Sequence, residues 1–236
     1  IGQAGFHQAD TACPIGPDTW TSAYWSAQTA ITAADLLLAG ETRAYALCRP
    51  PGHHAYGDLA GGFCFLNNSA IAAERLLAGG LRPAILDVDV HHGNGTQGIF
   101  YDRGDVLTVS IHADPVRFYP FFWGHAHERG AGPGLGMNLN LPLERGTGDE
   151  RFLKTLDEAR SRIEANGTTA LVIALGLDAH EDDPLKGLTV TTKGFEKIGQ
   201  AIARISLPTL IIQEGGYLSD SLSDNLEAAL RGLQQG

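Results

Sequence analysis

Pro83-Ala84-Ile85-Leu86-Asp87-Val88-Asp89-Val90-His91-His92-Gly93-Asn94-Gly95 is the stretch on which the reading of this chain turns. Its first half is short and apolar, the pattern of a strand buried on both faces, and such strands build parallel sheets. Its second half sets carboxylates and imidazoles at the carboxyl end of that strand. Residues two apart on a strand share a face, so Asp87, Asp89 and His91 point the same way where the chain stays extended. Like charges buried together are costly unless a cation neutralises them. Oxygen and imidazole donors suit Zn²⁺ or another divalent metal. The bland alternative is an acidic strand end that binds nothing.

The flanking sequence alternates between the two periodicities. Apolar strand segments are predicted at 44–48, 83–90, 105–111, 137–141, 170–175 and 209–213. Helices are predicted at 18–39, with Asp18 as N-cap and Gly40 as stop, and at 67–78, 148–166, 192–205 and 219–233. Residues 113–136 read as one long loop. The expected architecture is a doubly wound α/β fold with a mainly parallel sheet of about six strands and helices on both faces. It is expected to form a single catalytic domain over residues 1–236. Ligands of such sheets bind beyond the carboxyl ends of the strands. The polar residues fall there: His53 and His54, then Asp87 to His92, His112 and Asp114, Asp178 and His180, and Glu214 to Tyr217.

A catalytic metal needs three protein ligands and an open position. Asp89 and His91 supply two, and Asp178 is the best third, with His180 as its competitor in the same segment. His53 and His54, adjacent after Pro51-Gly52, are candidate proton carriers. Asp87 and Asn94 could each orient one of them through Nδ1–H and leave Nε2 free. Tyr217, after Gly215-Gly216, can donate to a developing oxyanion. Gly61-Gly62-Phe63 sets glycine backbone beside an aromatic, which suits a narrow apolar tunnel.

Composition narrows the classes further. The chain has 236 residues, of which 43% are hydrophobic and 19% charged, as in an ordinary globular enzyme. Its net charge of −10 would repel nucleic-acid phosphates and is compatible with cationic amines. Cys13, Cys48 and Cys64 form no C-x-x-C pair, so neither a disulfide framework nor a cysteine metal site is expected. Three buried thiols in a reducing, cytoplasmic compartment is the expectation. No apolar run reaches the length of a membrane span. The chain begins at Ile1 rather than Met.

Taken together, these segments resemble the histone deacetylase family of the arginase/deacetylase fold. The pieces are residues 50–55, 61–68, 87–96, 176–185 and 214–217, in the family's order. Residues 118–124 and 128–130 look like the bacterial acetylpolyamine amidohydrolase branch. The resemblance implies zinc-dependent hydrolysis of N-acetyl amides, with acetate released from small acetylated amines, acetylpolyamines or acetyllysine. It implies Asp89, His91 and Asp178 as zinc ligands, and His53 and His54 as the tandem histidines, partnered by Asp87 and Asn94. Tyr217 would stabilise the oxyanion. Phe63 and Tyr119 would be tunnel walls, with Gly62 near the acyl group and Leu185 at the rim. A structural K⁺ would use Asp87, Ser110, Ile111 and the backbone of Asp89 and His91. Asn94 stands where some branches have Asp, and Tyr119 where many members have Phe. The family's first strands are absent, so the domain is expected to lack its N-terminal part. A homo-oligomer stays open. The rival readings are a binuclear manganese ureohydrolase of the arginase type and a non-catalytic, metal-stabilised binding protein.

Overall fold

The six strands are β1 (Arg43–Ala46), β2 (Pro83–Asp87), β3 (Leu107–Ala113), β4 (Asn138–Leu143), β5 (Ala170–Leu175) and β6 (Thr209–Gln213). The computed structural model describes residues 5–235. The strands form one sheet in the order β1-β6-β5-β2-β3-β4, every pair parallel. Six α-helices named among the described residues precede, join or follow the strands: α1 (Thr19–Leu38), α2 (Asn68–Ala78), α3 (Asn94–Phe100), α4 (Asp149–Ala165), α5 (Thr192–Ala203) and α6 (Leu222–Gln234). The doubly wound α/β fold expected from the sequence is the one observed.

Every residue of β2, β3 and β5 is buried, as strands covered on both faces must be. Successive side chains feed two cores. Ile85, Val172 and Ile212 pack with α1 and α2, whereas Leu86, Ile173 and Ile211 pack with α4, α5 and α6. Helix ends follow local chemistry. The Asn67 side chain accepts from Ala70 N at 2.9 Å and starts α2. Asp149 accepts from Thr191 N and Oγ1, both at 2.8 Å, and ties the start of α4 to that of α5. The α5–α6 crossing is close because it runs over glycine. A Cβ on Gly232 would stand 2.0 Å from Glu196 O, and one on Gly199 2.3 Å from Ala229 O. Asp18 makes no side-chain cap of α1, contrary to expectation.

Two differences from the sequence reading bear on function. The segment expected to be extended over 83–90 leaves the sheet after Asp87. Carboxylates there take over three of the backbone donors: Asp89 N donates to Asp87 Oδ1, Val90 N to Asp178 Oδ1 and His91 N to Asp89 Oδ1, at 3.1, 3.0 and 2.9 Å. Asp89 and His91 are therefore placed by these turns and not by the pleat of the strand. Helix α3 was not expected, since Asn94, Gly95 and Gly98 are poor helix formers. It is held by its neighbours. Thr96 N donates to His53 O at 3.1 Å, and a Cβ on Gly95 would stand 2.3 Å from Ala55 O. No helix of the described residues is long and apolar enough to cross a membrane.

Candidate active site

The polar carboxyl edge of the sheet is where the buried charge collects. Asp89 and His91 follow β2, and Asp178 follows its neighbour β5. All three are buried, and one ligating atom from each lies within 4.8 Å of the others. His91 Nδ1 is 3.1 Å from Asp89 Oδ1 and 3.2 Å from Asp178 Oδ2. Asp178 Oδ2 still has no aligned hydrogen-bond partner. Backbone presses on both carboxylates from behind. A Cβ on Gly215 would stand 2.2 Å from Asp178 Oδ2, and one on Gly176 2.3 Å from Asp89 Oδ2. Gly215 N donates to Asp89 Oδ2 at 2.8 Å.

This arrangement is under electrostatic tension. Burial and the charge of Asp89 push Asp178 up to about 6. Burial would depress His91, but Asp178 and Asp89 override it and raise it to about 9. A divalent cation would relieve both shifts, and an orphaned carboxylate oxygen beside an imidazole fits one. His180, the competing ligand, is elsewhere. Its ring stacks 6.3 Å from Phe195, and its nitrogens face Ser221 and Thr192. His92 lies against His112, 4.7 Å between centroids.

The histidine pair stands beside the triad. His53 Nδ1 donates to Asp87 Oδ2 at 2.9 Å, and His54 Nδ1 to Asn94 Oδ1 at 2.6 Å. The two rings are 4.0 Å apart, and His54 is 5.8 Å from His91. Their environments push them in opposite directions. Burial would lower His53, but Asp87, Asp89 and Glu214 hold it well above the usual imidazole range. Burial and the charges of His53 and His91 hold His54 well below it. The surroundings thus favour the charged form of His53 and the neutral form of His54.

Aromatic rings surround this cluster. Phe118 stacks on His91 at 5.0 Å and 12°, and Tyr119 meets His54 edge-on at 4.8 Å. Phe63 meets Tyr217 at 6.4 Å. Gly62, at φ 52°, carries the chain past His54, where a Cβ would stand 2.3 Å from the ring. Tyr217 is close enough to Asp178 and Asp89 that their charges, after burial, raise its hydroxyl. Leu185 is 40% exposed. Behind Asp87 the parallel register sets Ser110 directly opposite, with Ile111 next along β3.

Sequence reasoning missed several supports. Glu214 Oε2 accepts from Gly52 N and His53 N at 2.7 and 3.1 Å, and its Oε1 accepts from Ser69 Oγ at 3.0 Å. Asp10 Oδ2 accepts from Tyr119 Oη at 2.5 Å and from Gly62 N at 3.0 Å. Tyr56 Oη accepts from Asn94 Nδ2 at 3.2 Å. Glu214 was placed at the sheet edge by the sequence, but its grip on the His53 loop was not foreseen. Asp10 and Tyr56 carry no local signal. A cleft of about 600 Å³ lies between residues 56–60, the N-terminal segment and α2, and none of the triad residues lines it.

A buried triad fit for a divalent metal, next to a base and a charged partner, is equipped for hydrolysis of an unactivated bond. The class so defined is that of metal-dependent amidohydrolases. The histone deacetylase domain matches residues 2–233, and the chain belongs to that family. It is 51% identical over 233 residues to an acetylpolyamine amidohydrolase of Burkholderia pseudomallei (strain 1710b), covering 99% of this chain and 68% of that one. The acetylpolyamine amidohydrolase of Mycoplana ramosa is 45% identical over 233 residues, covering 98% of this chain and 68% of the relative. A crystal structure of the acetylpolyamine aminohydrolase from Burkholderia pseudomallei superposes with a TM-score of 0.95 at 52% identity, covering 98% of this chain and 67% of that one. The chain is thus an enzyme of the deacetylase type, and its family is metal-dependent.

Proposed function

We propose that this protein removes acetyl groups from small acetylated amines, acetylpolyamines foremost, using zinc held by Asp89, His91 and Asp178. The observation that carries this reading is the adjacent histidine pair, one ring held by Asp87 and the other by Asn94, beside a buried Asp-His-Asp triad. When bound, zinc supplies Lewis acidity to the acyl carbonyl and to the attacking water. His54 accepts the water's proton at Nε2 and delivers it to the departing amine. Asp87 keeps His53 charged, and Asn94 keeps His54 turned. The Tyr217 hydroxyl donates to the developing oxyanion. Phe63 and Tyr119 flank the acyl arm, Gly62 lies beside it, and Leu185 sits at the rim. A potassium ion held by Asp87, Ser110, Ile111 and the backbone of Asp89 and His91 would add fixed positive charge behind the site.

Substrate class follows from charge and shape. The relatives bear the name acetylpolyamine amidohydrolase, and a net charge of −10 attracts cations. Phe121, Phe122 and Trp123 are exposed beside Tyr119, where aromatic faces can receive an ammonium. Leu185 offers no carboxylate, so acetyllysine peptides form the second reading. A binuclear manganese site would need further ligands, and the described residues hold one cluster of three. Three free, buried cysteines fit a reducing, cytoplasmic compartment.

The test compares acetate release from acetylputrescine, acetylspermidine and an acetyllysine peptide, with and without a chelator. His54→Ala should keep stoichiometric zinc and lose turnover. Zinc loss in His54→Ala would sink its role as a proton carrier, and a clear preference for the peptide would sink the polyamine assignment.

A further inference from the structure

Asn94 is the one neutral partner holding either histidine. A carboxylate accepts through both oxygens, so its rotation is immaterial. An amide has an accepting end and a donating end. With Oδ1 toward His54, 2.6 Å from Nδ1, the ring carries its proton on Nδ1 and keeps the Nε2 lone pair. With the amide turned over, its NH₂ would donate to Nδ1. The proton would then sit on Nε2, and the ring could take none there. His54 alone does not choose between these states, because each amide orientation has a matching tautomer.

The second partner of the amide is Tyr56. Its Oη lies 3.2 Å from Asn94 Nδ2 and accepts from it. The ring is firmly placed. A Cβ on Gly98 would stand 2.4 Å from Tyr56 Cε1, so the bare backbone of α3 is the surface on which the ring lies. Trp123 meets it edge-on at 6.4 Å. With Oδ1 held toward His54, the amide's NH₂ is left facing the Tyr56 oxygen, so one orientation satisfies both partners.

We propose that Tyr56 is a positioning residue that fixes the Asn94 amide and thereby the tautomer of His54. This rests on the reading of His54 as the proton carrier. The consequence is specific to an amide: a chain with a carboxylate at position 94 has no orientation for the tyrosine hydroxyl to fix.

The test is a double-mutant cycle in the metal-loaded protein. Tyr56→Phe keeps the ring packing and removes only the hydroxyl. It should lower kcat for an acetylated amine by about tenfold or more while leaving KM in place. In the Asn94→Asp background the same Tyr56→Phe change should cost less than about twofold. Imidazole ¹⁵N NMR provides a readout free of turnover, with the His54 signal assigned by its absence in His54→Ala. The parent protein should show Nδ1–H, and Tyr56→Phe a growing share of Nε2–H. Equal kcat losses in both backgrounds would make Tyr56 merely structural and overturn the inference. So would an unchanged tautomer in Tyr56→Phe. If the parent protein releases no acetate, the reading of His54 fails, and the tautomer measurement still tells whether Tyr56 sets it.

Discussion

At the residue scale, protons and metal compete for the same three side chains. His91 is raised to about 9 and Asp178 to about 6 in the absence of a cation. Below pH 9 the imidazole carries a proton that a metal must expel, and below pH 6 the carboxylate carries another. Zinc affinity should therefore fall about tenfold per pH unit from 9 to 6, and more steeply below. Competition against a chromophoric chelator at several pH values measures this. Affinity that stays flat from pH 6 to 8 would mean His91 does not surrender a proton on binding.

Elements place those residues, and the loose ends of elements were hardest to read. The strand cores were legible, because runs such as Ala170–Leu175 admit one buried solution. The parallel sheet then brought Asp89 and Asp178 together without knowledge of any side-chain geometry. What escaped was structure made by distant partners. Helix α3 opens on Asn, Gly and Thr and exists because the 53–56 loop presses on it. Asp10 grips Tyr119 from 109 residues away. Such contacts leave no periodic trace along the chain. The α5–α6 crossing is equally specific: Gly232→Ala would drive a methyl against the Glu196 carbonyl. It should destabilise by about 1–3 kcal/mol, read as a lowered urea midpoint, with activity per folded molecule preserved. Unchanged stability would mean the helices part without cost.

At the scale of the whole molecule, the surplus of acid acts at a distance. Net charge of −10 should raise the encounter rate with a cationic amine and not with a neutral one. Raising ionic strength from about 10 to 200 mM should lower kcat/KM for acetylputrescine more than for an uncharged acetamide of equal length. Equal salt dependence for the two would assign specificity to shape alone.

The order of the sheet also governs how the chain is made. Strand β6 comes last in sequence among the described strands, yet it lies between β1 and β5. On the ribosome, β1 has no strand of the described sheet to join until residues 209–213 emerge, and one edge of β5 waits bare for as long. Glu214, the next residue out, grips the loop of His53, and Gly215 then closes on Asp89. Birth order thus puts the fold and its chemistry under one lock. A chain halted before β6 is an aggregation hazard with unpaired edges, and it lacks the contacts of Glu214 and Gly215 with the site.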